Sequence, residues 1–251
     1  GSGHVRPGAI TQAHCGVLFL DETPEFSKAV LQALRTPIER GVVTIARAQE
    51  SVTFPARFQL VLAANPCPCG NGWGKGLDCT CSPLMRRNYF ARISGPLLDR
   101  VDLQVHVQPP GLALAAQPTG EPSKVVAARV GEARAVQQER WSGELRAARG
   151  PGGARGLVGE RGREGVHGLE GVRGLNARVP GSVLRGAPWR LPGADAAALD
   201  RALERGAVSL RGYDRTLRVA WTIADLTGLP RPRRDTVELA LSLRMRTAVA
   251  A

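Results

Sequence analysis

The sequence predicts an α/β unit, a parallel sheet with helices, followed by a small all-α unit at its C-terminal end. Three observations carry that reading. Two short apolar runs, "GVLFLDE" from Gly16 and "FQLVLAAN" from Phe58, each stop at polar residues, as strands buried on both faces of a parallel sheet do. A helical stripe and a β-rich pair of segments lie between them. The last sixty or so residues change to an apolar rhythm of about 3.6 residues with glycine stops.

Taken in order, "EFSKAVLQALRTPIERG" sets Phe26, Val30, Leu31, Leu34 and Ile38 on one helical face, and Gly41 ends it. "VVTIAR" and "SVTFPAR" flank the polar tip Ala48-Gln49-Glu50 and predict a hairpin. A Cys/Gly-rich excursion runs from Pro66 to Pro83. "SGPLLDRVDLQVHV" predicts a turn into a third strand. From Pro109 the character changes to a linker, "PPGLALAAQPTGEP", and then an amphipathic helix, "SKVVAARVGEARAVQQERW". Glycine recurs at every third position from Gly153 to Gly174, without the proline a collagen helix needs, so this is a basic low-complexity insertion. "DAAALDRALERG", "SLRGYDRTLRVAWTIADLTG" and "RDTVELALSLRMR" predict three helices, with Gly206 and Gly228 as stops. The expected division is 1–110, 111–180 and 181–251.

The chain has 251 residues, enough for one sizeable core and a satellite. Aromatic residues make up 4%, which predicts a core of Val, Leu, Ile and Ala. A net charge of +12 suits a polyanionic partner such as nucleic acid, or a subunit with an acidic face; a GC-rich genome also favours arginine. No run approaches the ~18 apolar residues of a membrane span, so a cytoplasmic protein is expected. Four of five cysteines cluster, which fits metal binding in a reducing compartment better than disulfides.

Asp21 and Glu22 end an apolar strand. An Asp in that place can hold a Mg²⁺-bound water, and an adjacent Glu can polarise a water for attack on a γ-phosphate. The phosphate loop that should accompany them, G-x-x-x-x-G-K-[ST], has one near match. In "CGNGWGKGLD" the first glycine falls on Cys69, and Gly76 replaces the hydroxyl that would bind Mg²⁺, so this is a decoy. Asn65 follows the second strand, where its amide could orient the attacking water or simply begin an Asn-Pro turn. Cys67, Cys69, Cys79 and Cys81 form C-x-C-x₉-C-x-C, two thiol pairs able to complete a tetrahedral zinc site, although C-x-C is tighter than usual; free thiols or another metal are the alternatives. Arg100 precedes the expected third strand and could pair with Asp99 or Asp102. Arg211 opens a C-terminal helix, where a cation opposes the helix dipole and is better used on a phosphate. Arg47, near the hairpin tip, could face DNA. Cys15 is expected in the core.

Assembled, "RPGAITQAHCGVLFLDE", "FSKAVLQALRTPIERG", "VTFPARFQLVLAANPCPCG", "CTCSP", "SGPLLDRVDL", "LNARVPGSVLR" and "SLRGYDRTLRVAWTIADLTG" resemble the Mg-chelatase-like AAA+ ATPases of the ComM/YifB type. The resemblance implies a partial AAA+ core with a presensor hairpin at 42–54, then the family's C-terminal helical domain. It implies ATP and Mg²⁺ as cofactors, Asp21 and Glu22 as Walker B acids, and Asn65 as sensor 1. Arg100 matches the arginine finger and Arg211 the sensor 2 arginine, both acting on a neighbour's nucleotide. Family members are thought to form hexameric rings that drive branch migration of DNA in natural transformation. The Walker A strand and loop are missing from these residues, so the expectation is a fragment that hydrolyses little ATP alone. A porphyrin-pathway chelatase subunit and a non-catalytic zinc- and DNA-binding module are the alternatives.

Overall fold

Among the described residues of this computed structural model, 6–46, 51–74, 76–107, 120–149 and 174–245 (side chains of 143–149 excepted), two compact units stand out. The first runs to Val101, and the second takes in residues 102–105 and the chain from 110 to 247.

The first unit opens with a single helical turn, α1 (Ala9–Gln12), and the strand β1 (Val17–Leu20). A 3₁₀ turn, Thr23–Glu25, leads into α2 (Lys28–Ala33), capped by the Ser27 hydroxyl accepting from the Val30 N–H, and then α3 (Arg35–Arg40). The single helix expected here breaks after Ala33. Pro37 has no N–H to give the Ala33 carbonyl, and its ring crowds that oxygen. Gly41, at φ 68°, ends α3 in the left-handed region. The hairpin β2 (Val42–Ala46) and β3 (Ser51–Pro55) pairs antiparallel, with Val42 opposite Pro55 and Ala46 opposite Ser51. β4 (Gln59–Leu62) returns parallel to β1, Val17 facing Gln59 and Leu20 facing Leu62. Two helices complete this unit, α4 (Pro83–Ala91) and α5 (Gly95–Leu98).

Side chains alternate across a strand. Leu18, Leu20, Leu60 and Leu62 therefore share one face, where they pack with Leu31, Leu34, Ile93 and Leu97. Val17, Phe19 and Val61 share the other, and they are 58%, 57% and 37% exposed. Burial on both faces, expected from the apolar runs, is thus corrected. Among the described residues helices cover one side only. The helical stripe is split in the same way, with Leu31 and Leu34 buried and Phe26 and Val30 exposed. Cys15 is exposed rather than in the core; it occupies a left-handed turn, φ 61°, and its N–H donates to the Arg57 carbonyl at 2.6 Å.

The third strand expected over 101–107 does not form. The Gln104 N–H instead donates to the Leu243 carbonyl at 2.6 Å, and its side-chain amide to the Arg244 carbonyl at 3.1 Å. Gln104 is thus bonded within the second unit, not to the sheet.

That unit comprises α6 (Ser123–Arg149), the single turn α7 (Gly181–Leu184), α8 (Gly193–Glu204), α9 (Leu210–Leu226) and α10 (Arg234–Ser242). The three predicted C-terminal helices are present, and Gly206 and Gly228 follow their helices at φ 67° and 71°. The amphipathic helix is also present and runs on to Arg149. Leu199, Leu217, Ala220 and Val237 fill the core. The aliphatic core expected from composition is corrected, since three of the four tryptophans meet here. Ring centres lie 4.8 Å apart for Trp141–Trp189 and 5.6 Å for Trp189–Trp221.

Beside them a buried polar hub ties α6 to α9. Asn176, fully buried, accepts from the Trp141 indole N–H at 2.9 Å and donates to Asp225 at 2.7 Å and Thr222 at 3.2 Å. Arg140 closes it with two bonds to Asp225 and lies over the Trp221 ring at 4.5 Å. The glycine-triplet stretch lies outside the described residues, apart from Gly174, as do the tip of the hairpin and most of the 109–122 linker.

Candidate functional site

The site is built on the carboxyl ends of β1 and β4. Because Leu20 and Leu62 are in register, Asp21 and Glu22 leave one strand where Ala63, Ala64 and Asn65 leave its neighbour. Ligands gather at such ends in open parallel sheets. Thr23, fully buried, fixes the exit. Its N–H donates to the Ala63 carbonyl at 2.8 Å, and its hydroxyl donates to the Leu20 carbonyl at 2.9 Å. Asp21 and Glu22 are exposed, and the Glu22 N–H donates to Asp21 Oδ1 at 2.8 Å.

Glu22 sits at φ 47°, ψ 41°, in the left-handed region. An L-residue there costs about 1–2 kcal/mol, and such outliers cluster at functional sites. No sequence rule flags it.

Tyr89 was also missed. It is 4% exposed and lies on α4 among Glu22, Glu25, Asn65 and Cys67. Burial raises its phenol above the ordinary 10, the Glu25 and Glu22 charges add to this, and the Asn65 backbone opposes it. Arg92, one turn further on, donates to the Pro24 carbonyl at 3.1 Å and to Glu25 at 2.9 Å. Helix α4 is thus held against the segment that follows Glu22.

Past Asn65, the loop brings the four cysteines together. Their sulfurs all lie within 4.8 Å of one another. Cys67 stands 3.4 Å from Cys69 and 3.5 Å from Cys79, and Cys69 stands 3.6 Å from Cys79. Cys67 and Cys81 are buried. Glycine shapes the loop at Gly70, Gly72, Gly74 and Gly76, the last two at φ 56° and 61°. Gly70 has φ 79°, and a Cβ on Gly72 would lie 3.0 Å from the Cys67 sulfur. The Asn71 backbone N–H, then the Cys67 thiol, lower Cys69 to about 6. Burial, then the Cys69 and Cys79 thiols, raise Cys67 to about 11.

The remaining predicted residues are placed as follows. Arg100 is in the first unit and only 8% exposed; it donates to Glu39 at 2.6 Å and to the Pro96 carbonyl at 2.5 Å. Its acidic partner is thus Glu39, sixty-one residues away, and Asp102 pairs with Arg215. Arg211 is exposed at the start of α9, in the second unit, where the Ser209 hydroxyl caps the helix by accepting from the Gly212 N–H. Arg47 lies outside the described residues. Among the described residues no helix is long and apolar enough to cross a membrane.

Comparison with known proteins places both halves of the sequence. Residues 1–113 match the family model for "Magnesium chelatase, subunit ChlI", and residues 120–244 match the one for "Magnesium chelatase, subunit ChlI C-terminal". Rv2897c of Mycobacterium tuberculosis is 43% identical over 97% of this chain and 42% of its own length. The competence protein ComM of Haemophilus influenzae is 38% identical over 89% of this chain and 38% of its own. YifB of Escherichia coli is 36% identical over 95% of this chain and 41% of its own. The chain therefore spans about two fifths of the length of these relatives. With one family matched across almost its whole length, the chain belongs to the magnesium chelatase ChlI-like family, as a homologue of ComM and YifB.

Proposed function

We propose that this chain is the water-activating portion of an AAA+ ATPase that acts on DNA. The observation that carries this is the placement of Asp21, Glu22 and Asn65 at the ends of two adjacent parallel strands in register. Two exposed carboxylates and an exposed amide suit a hydrated Mg²⁺, which keeps most of its waters and takes one or two carboxylate partners. Bound there with ATP, the ion would draw charge off the phosphates. Asp21 would hold one of its waters, Glu22 would polarise the attacking water, and Asn65 would orient it. The motif that would cradle the triphosphate, G-x-x-x-x-G-K-[ST], does not occur in this sequence.

In this reading Arg100 and Arg211 address phosphates on a neighbouring subunit of a ring, and Arg100 must first let go of Glu39. DNA is the partner, which the +12 charge and the competence name of the Haemophilus relative support; branch migration is the corresponding work. Arg47 is assigned by this reading, from its place in the sequence, to contact DNA, and the four-thiolate loop carries one structural zinc ion.

The test is ATP turnover by this polypeptide, alone and mixed with a chain that carries a phosphate loop, with DNA present and absent. Turnover near background alone, stimulation in the DNA-containing mixture, and loss of that stimulation in Glu22→Gln are expected. Arginine fingers supply ~10³-fold or more, so Arg100→Ala should erase the stimulation as well, with circular dichroism checking the fold because Arg100 is buried. Robust turnover by the isolated chain, unchanged in Glu22→Gln, would overturn the reading.

A further inference from the structure

Resting on the zinc reading above, we infer that the ion is a clip that sets the Asn65 end of β4 against helix α4, and so positions the nucleotide-site residues from outside. Four thiolates around one zinc at about 2.3 Å put their sulfurs about 3.8 Å apart. The sulfur separations here, 3.4, 3.5 and 3.6 Å, are already close to that. An S₄ set of this shape takes Zn²⁺ or iron, and a donor set with no open position is structural, not catalytic.

The places where the ligands enter the chain give the ion its role. Cys67 is two residues beyond Asn65, and Cys81 is the residue before Ser82, the N-cap of α4, whose hydroxyl accepts from the Met85 N–H at 3.2 Å. The ion therefore joins the segment that leaves β4, five residues past Leu62, directly to the residue before the N-cap of α4, across a fifteen-residue span from Cys67 to Cys81. Further along α4, Tyr89 lies buried beside the Asn65 backbone, Glu22 and Cys67, and Arg92 grips Pro24 and Glu25. Tyr89 and Arg92, which hold α4 against the Asp21–Glu25 segment, thus lie on the helix that the metal loop enters. The loop itself has little else to rest on. Among its described residues it contains no helix or strand, Leu77 is 88% exposed, and its backbone makes the turn bonds Gly70 N–H to Cys67, Gly76 N–H to Trp73 and Cys79 N–H to Gly76. Without the ion, four thiols must share the space that one cation would fill, two of them buried.

The experiment is hydrogen exchange by mass spectrometry on the full chain, as purified without chelator, after metal removal under reducing conditions, and after Zn²⁺ is restored. Metal content is measured on the same samples. About one zinc per chain is expected. Its removal should speed exchange roughly tenfold or more in 59–65 and 83–93, while 196–241 stays unchanged, and added Zn²⁺ should restore protection. Tyr89→Phe keeps the ring and the zinc but loses the hydroxyl, and should speed exchange at 59–65 alone. A chain that binds one zinc but shows identical exchange at 59–65 and 83–93 with and without it overturns the clip and leaves the zinc reading standing. A chain that carries no zinc, or another metal, overturns both.

Discussion

The two units reach stability by different routes. The second buries a continuous core from Trp141 to Ala240, with three tryptophans and a polar hub centred on Asn176. The first centres on five buried residues, Leu20, Leu31, Leu34, Ile93 and Leu97, under a two-stranded sheet whose other face carries exposed Val17 and Phe19. A two-stranded sheet is marginal by itself, and apolar area removed from water is what stabilises it. The unit that bears the candidate chemistry is the thinner one. Its geometry rests on staples such as Thr23, Arg92 and the cysteine loop more than on packing.

Three substitutions would break or sharpen this contrast. Arg140→Ala should have the largest effect, because it leaves the Asp225 carboxylate buried opposite an empty place. Breaking such a pair costs about 3–5 kcal/mol. Urea unfolding followed by tryptophan fluorescence reads it directly, and a loss under about 1 kcal/mol would mean that the hub is hydrated in solution. Leu97→Ala should cost about 2–5 kcal/mol in a unit that has little to spare, so hydrogen exchange over 17–62 should rise to that of an unfolded chain while 196–241 stays protected. If both segments respond alike, the units do not differ in the way described. Phe19→Thr should change stability by no more than about 0.5 kcal/mol, since the ring already lies largely in solvent. A loss above about 1 kcal/mol would show that something covers this face in solution.

What the sequence made legible was local. Both parallel strands, the hairpin and the three C-terminal helices follow from periodicity, glycine stops and turn residues. The clustering of the four cysteines was visible in their spacing, and Asp21, Glu22 and Asn65 were visible as polar residues closing apolar runs. The structure adds what depends on distant partners. Asn176 joins Gln137, Trp141, Thr222 and Asp225, which no window of sequence holds together. Glu39 is sixty-one residues from the Arg100 it binds, whereas the near neighbours Asp99 and Asp102 looked the natural partners. Tyr89 reads as an ordinary aromatic on a helix until the loop before it folds back to Asn65. The strand expected at 101–107 failed for the same reason, because its hydrogen bonds go to a helix end nearly 140 residues away.

The left-handed backbone at Glu22 has a consequence for how this position is kept through mutation. Glycine would sit there without the steric penalty of about 1–2 kcal/mol. Against that stands only its own chain-entropy cost of about 0.5–1 kcal/mol. By stability alone, then, glycine is at least as good at position 22 as the residue present, whereas at most exposed sites it is worse. Substitution of glycine for glutamate here is not removed by misfolding. A lineage that needs no carboxylate at this turn should lose it by drift, and one that retains it does so against the local backbone preference. Position 22 thus separates selection for chemistry from selection for fold, which a residue in a relaxed conformation cannot do.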